Sequence, residues 1–196
     1  MTLDEFNKEI NLYIKNNNTS WIALHDAHSI KLIDKIFNSG LCVSHNPFGK
    51  RGKNIPVEDN FMTTMYYLTS KSVSLQTLPV APIIIKIPQE ILALYSNNGN
   101  EELTYQKFCL YGKQEINTAT NYDGNTEYSR GDITPLETAE NANVRMLPSY
   151  FIAGYYNIST GKFIQNSKHF YNLSKEDQEK VIKLFQSLIS TNNITI

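Results

Sequence analysis

The sequence predicts an α+β fold, a largely antiparallel β-sheet flanked by helices. Three observations lead there: strand-like apolar runs are many and short, helical periodicity sits mainly near the two ends, and no internal repeat organises the chain. The 196 residues suit a single domain, 1–196, with a helix over 2–16, a core over about 21–165 and a C-terminal helix over 174–190.

The elements follow in order. Thr2 and Glu5 make a capping box, and Leu3, Phe6, Ile10, Tyr13 and Ile14 recur at helical spacing until Asn16, Asn17 and Asn18 end the helix. Trp21 to His25 is a short apolar run closing on a polar residue, which suits a buried strand. Ser29 to Asn38 reads as a helix with Ile30, Ile33, Ile36 and Phe37 on one side, and Gly40 stands where a left-handed C-terminal cap is wanted. Thr63 to Thr69 and Ile83 to Ile87 read as strands, and Pro88 opens a short helix through Leu92. Phe108 to Tyr111 is a further strand. Residues 117 to 138 hold little apolar content and read as one long loop, a length that is functional or disordered inside a compact domain. Val144 to Leu147 and Tyr150 to Tyr156 are strands around Pro148, and the turn Ser159 to Lys162 returns through Phe163 and Ile164 as a hairpin. Ser174 caps the last helix, whose apolar face is Val181, Leu184, Phe185 and Leu188.

Composition narrows the function classes. A net charge of −1 argues against a protein held mainly by phosphate contacts, although an enzyme that visits a nucleic acid briefly stays open. No apolar run approaches the roughly 20 residues that span a bilayer, so no membrane partner is expected. The opening Met1-Thr2-Leu3-Asp4-Glu5 is acidic where a signal peptide is basic, which predicts a cytoplasmic protein unless a specialised machine delivers it into a target cell. Cys42 and Cys109 form no CxxC pair, so neither a disulfide framework nor a zinc cluster is expected. Abundant Asn and Lys, with Arg51, Arg130 and Arg145 the only arginines, suggest an AT-rich genome.

The common catalytic motifs are missing. His25 and His28 stand three apart but at the end of a strand, and His45 and His169 have no partner at ligand spacing, so no metal site is expected. There is no GxxxxGK[ST], and Gly49-Lys50-Arg51-Gly52 is most simply a solvated loop. There is no GxSxG elbow; Cys42, close to Ser44 and His45, is a buried inert thiol before it is a nucleophile.

One order of elements is more informative. A strand ends at His25, a helix follows and closes in Gly40-Leu41, and then comes the aromatic run Met65-Tyr66-Tyr67-Leu68. After the long polar segment an acid, Glu140, stands eight positions before Pro148-Ser149-Tyr150-Phe151-Ile152-Ala153-Gly154. Over roughly residues 21 to 158 this layout resembles the ADP-ribosyltransferase superfamily, especially its bacterial toxin-like and nucleic-acid-modifying members.

The resemblance implies an ADP-ribosyltransferase-like split sheet and a glycosyltransferase that takes NAD as substrate and modifies a macromolecular acceptor, protein or nucleic acid. It implies that His25 hydrogen-bonds the adenosine ribose and the nicotinamide amide, that Tyr66 or Tyr67 stacks on the nicotinamide, and that Glu140 is the catalytic acid. Asp26 follows His25 into the NAD-binding set, where the family often has Gly-Thr or Gly-Ser after the histidine. Two residues before the acid stands Thr138, where many members have Gln or Glu, and the small helix with a second aromatic is not evident between Lys71 and Pro79. The chemistry asks for such groups. Breaking the bond to nicotinamide builds positive charge on the ribose, which a fixed carboxylate stabilises, while a flat ring pins the leaving group.

Each residue also has a plainer role. His25 suits a core histidine, Tyr66 and Tyr67 suit packing with one on each face, and Asp26 suits a helix cap. Glu140 is also an ordinary solvated acid, with Glu127 and Glu137 competing in the same segment. A second class of function is a non-enzymatic inhibitor of phage or plasmid type acting by surface binding, to which 12 tyrosines are suited. Phosphotransfer on RNA is disfavoured by the scarcity of arginine.

Overall fold

The computed structural model describes residues 1–27, 29–43, 66–68, 73–95, 103–116, 130–138, 140–142 and 144–192. The fold is α+β, with two antiparallel sheets and, among the described residues, four α-helices. The chain forms two compact units: Met1–Ile33, Met65–Leu103 and Tyr150–Ile196 make the first, Asp34–Thr64 and Thr104–Ser149 the second.

The first unit holds α1 (Leu3–Asn16), β1 (Trp21–Asp26), β3 (Tyr66–Tyr67), β4 (Pro82–Ile87), α3 (Gln89–Tyr95), β8 (Ile152–Asn157), β9 (Lys162–Gln165) and α4 (Lys175–Asn192). Its five strands run in the order β3-β1-β4-β8-β9, every neighbour antiparallel. β1 and β4 are largely buried, as their apolar runs Trp21 to Leu24 and Ile83 to Ile85 require. The α1 capping box forms as expected, and Phe6 and Ile10 bury completely against Ile22, Leu24, Leu68, Ile84, Ala153 and Tyr156. Phe6 meets Tyr156 edge-on at 5.5 Å, and Phe163 of β9 lies between Tyr156 at 5.0 Å and Tyr13 at 5.4 Å. β9 closes tightly on β8 because Gly154 has no side chain; a Cβ there would stand 2.3 Å from the Ile164 carbonyl oxygen.

Two asparagines on one face of α1 hold the segment that leads into β4. Asn11 accepts the Val73 N–H at 2.8 Å and donates to the Val73 carbonyl at 2.8 Å, while Asn7 does the same for Leu75 at 2.9 and 3.2 Å. The i, i+4 spacing on the helix thus matches alternate residues of an extended chain.

The second unit holds nearly all of α2 (Ile33–Ser39), with β2 (Leu41–Cys42), β5 (Leu110–Ile116), β6 (Arg130–Pro135) and β7 (Val144–Leu147) in the order β2-β7-β5-β6. Cys42, Ile133, Val144 and Met146 form one cluster of its core, with Leu110 against them, and Leu41, Val43, Phe108 and Leu147 are buried as well. Gly40 caps α2 at φ +92°, and a Cβ there would stand 2.5 Å from the Leu147 carbonyl oxygen, so both conformation and space require glycine.

Several boundaries differ from the sequence expectation. The helix after β1 begins as a 3-10 turn over Ile30–Leu32, capped by Ser29 and not by Asp26, and Ile30 is 50% exposed while Ile33 and Ile36 are buried. Residues Tyr105–Phe108 form a 3-10 turn, and the strand expected there starts at Leu110. A 3-10 turn at Ser149–Phe151 likewise delays the next strand to Ile152. The segment 117–138 contains β6, whose inward residue is Ile133; one apolar side chain per strand leaves no period to read, and the backbone ladder to β5 makes the strand. Of the strand expected over 63–69, the described part is Tyr66–Tyr67. In α4, capped by Ser174, Val181 and Phe185 bury but Leu184 is exposed.

Candidate functional site

His25 is the penultimate residue of β1 and is half-buried. It pairs with Ile83 of β4, which pairs with Tyr155 of β8, so these residues form one row across the sheet. On the other side of β1, Ala23 pairs with Tyr67 and Leu24 with Tyr66. Alternate strand residues share a face, so position 67 lies on the face of Ala23 and His25, and position 66 on the face of Leu24, which packs under α1.

Asp26 has a distinct task. Its Oδ1 accepts the N–H of Ala81 at 2.8 Å and its Oδ2 that of Val80 at 3.0 Å. Asp26 pairs in register with Pro82 at a position where the ladder exchanges no backbone bonds, and its carboxylate takes the two donors just before β4. The Ala27 N–H then donates to the Ala81 carbonyl at 3.0 Å.

Glu140 belongs to the second unit, exposed on the turn ahead of β7, where Asn141 adopts φ 65°. Glu137 is also exposed. Glu127, His28, His45 and the Lys50-Arg51-Gly52-Lys53 stretch lie outside the described residues, as does most of the loop expected over 117 to 138. The structure therefore gathers His25, Asp26, Tyr66 and Tyr67 on adjacent strands of one sheet and sets Glu140 in the other unit.

The cysteines belong to the second unit's packing. Cys42 is buried, and Cys109 donates from Sγ to the Tyr105 carbonyl at 3.3 Å. Burial pushes the Cys109 thiol well above its ordinary value, which suppresses the thiolate a nucleophile needs. Among the described residues no group of three or more His, Cys, Asp or Glu side chains is placed to hold a metal ion. Among them, too, no helix is long and apolar enough to cross a membrane.

A polar cluster in the first unit escaped the sequence reading. Lys86, the one charged residue of β4, donates to Asn17 Oδ1 at 2.6 Å and lies 5.3 Å from the centre of the Tyr171 ring. Asn17 is the C-cap of α1, so the ammonium meets the negative end of that helix. His169 is buried, and its Nε2–H donates to the Lys86 carbonyl at 3.4 Å. Burial, with the Lys86 charge adding to it, pulls this imidazole down to about 4 and keeps it neutral at pH 7. Tyr171 donates to Glu90 at 3.0 Å and accepts the Gln89 N–H at 3.4 Å. Every member thus ties one element to another, and the cluster is a brace. The signal for it was a lone lysine in the run Pro82-Ile83-Ile84-Ile85-Lys86-Ile87.

Comparison of the chain with protein-family models, with curated proteins and with solved structures finds no match in any of the three.

Proposed function

We propose that the chain is an ADP-ribosyltransferase-like enzyme that splits NAD and transfers its ADP-ribosyl group to a macromolecular acceptor, protein or nucleic acid, in the cytoplasm of its own or a target cell. The observation that carries the reading is the juxtaposition on β3 and β1: position 67 shares a sheet face with His25, next to the strand end on which the histidine stands. The two antiparallel sheets are compatible with the split sheet of that superfamily.

In this reading His25 holds the ribose and the nicotinamide amide through hydrogen bonds made by a neutral ring, and Tyr67 takes the part of the stacking aromatic. The bond between nicotinamide and ribose breaks with its electron pair leaving on the nicotinamide, which departs neutral. Positive charge builds on the ribose, and Glu140, carried over from the resemblance alone, is the carboxylate that stabilises it. The acceptor's nucleophile then bonds to the ribose carbon and gives its proton to solvent.

Nicotinamide release tests the reading. Purified protein incubated with NAD and a cell lysate should release nicotinamide, and His25→Ala should cut the rate by about 100-fold, the order expected when a substrate-positioning group is lost. Absence of release, together with a stable stoichiometric complex that persists in His25→Ala and Glu140→Gln, would contradict it and identify an inhibitor acting by surface binding.

A further inference from the structure

We infer that Asp26 is a positioning residue for His25, closing the end of β1 through the backbone N–H groups of Val80 and Ala81. This rests on the reading of His25 as the group that holds NAD. In an antiparallel ladder the last pairs of a strand fray first, and here the terminal pair, Asp26 with Pro82, is one that exchanges no backbone bonds, the bonded pair beyond it being Ala27 with Ala81. His25 sits one residue inside that weak point, opposite Ile83. The carboxylate adds to that end two charge-assisted bonds of 2.8 and 3.0 Å, from the consecutive N–H groups of Ala81 and Val80.

The clamp also reaches the segment before β4. Asn7 and Asn11 of α1 grip residues 75 and 73, and Asp26 grips 80 and 81, so the stretch leading into β4 is held near both ends by side chains. The strand end bearing His25 is therefore fixed to a segment that is itself fixed to α1. A histidine that must meet a ribose and an amide at hydrogen-bond distance needs such a footing, since displacement by about 1 Å removes both bonds. Asp26 touches no reacting atom in this account and acts through His25.

The test combines ring-proton NMR with NAD titration on the full chain, folding being followed by the fluorescence of Trp21, the only tryptophan and itself on β1. The His25 resonance is identified by its loss in His25→Ala. Asp26→Ala should shift and broaden that resonance without NAD present, and should weaken NAD binding about tenfold. Asp26→Asn, which keeps one acceptor oxygen, should fall between the two. Added to His25→Ala, the Asp26→Ala change should produce no further loss of NAD affinity, because the group it acts through is gone. An unmoved His25 resonance in folded Asp26→Ala, or losses of affinity that multiply in the double variant, would overturn the inference. Wild-type protein that binds no NAD, with the His25 line still displaced by Asp26→Ala, would overturn the NAD reading while supporting the hold of Asp26 on His25.

Discussion

The two sheets organise their candidate residues differently. In the first unit β1 and β4 are apolar and buried nearly end to end, an aromatic helix face covers them, and His25 is held by pairing on β4 and by the adjoining Asp26 clamp. In the second, Cys42, Ile133, Val144 and Met146 pack together on the strands, and Glu140 stands exposed on a turn ahead of one of them. Long-range contacts therefore fix the strand end bearing the histidine, whereas local backbone conformation places the acid. Substitutions that disturb packing should act mainly through the first sheet, and backbone-strain substitutions mainly through the second.

The largest effect is expected at Phe6, fully buried and in edge contact with Tyr156. Phe6→Ala should destabilise the first unit by about 4 kcal/mol, measured by urea unfolding followed through Trp21 fluorescence. A loss below about 1 kcal/mol would mean that α1 is not the cover of this sheet.

Much of this contrast was legible in the sequence. α1, β1, β4 and α4 follow from apolar periodicity because each buries a face that its own residues define. β6 was not legible, since Ile133 is the one large apolar residue in its sequence, Arg130 to Pro135. Nor were the Asn7 and Asn11 pins, the Asp26 clamp or the Lys86 and His169 brace, because each joins residues more than 50 positions apart and leaves no local period. The task of Asp26 depends on the N–H groups of Val80 and Ala81, which the register of β1 on β4 brings to it. The strand end at His25 could be read; what steadies it could not.

The second effect is a pH dependence. His169 is depressed to about 4 in the folded protein from an ordinary 6.5. Below 6.5 the unfolded chain takes up a proton that the folded one refuses, so stability falls with decreasing pH through this window and levels off below about 4. The shift corresponds to on the order of 3 kcal/mol. Urea midpoints should fall from pH 6.5 to 4 in the wild type and lose this component of the slope in His169→Gln; equal slopes would remove His169 from the brace.

Gly40→Ala follows, with about 2 kcal/mol lost to backbone strain at φ +92° and to the crowding of the Leu147 carbonyl. Amide exchange at Val43, whose N–H donates to the Arg145 carbonyl at 2.8 Å, should accelerate, and unchanged protection would show that the turn tolerates a side chain. The smallest is Asn11→Ala, about 1 kcal/mol for the two bonds to Val73, read by faster exchange at the Val73 N–H.

Transfer of label from NAD to a lysate, compared between wild type and Glu140→Gln, decides whether the chain is an ADP-ribosyltransferase with Glu140 as its acid. The substituted residue is exposed, so thermal unfolding should move by less than about 0.5 kcal/mol while transfer is abolished. Label carried to a macromolecule by the wild type alone is the predicted result and names the acceptor. Equal labelling by both proteins would contradict the assignment of the acid, and no labelling by either would contradict the enzyme.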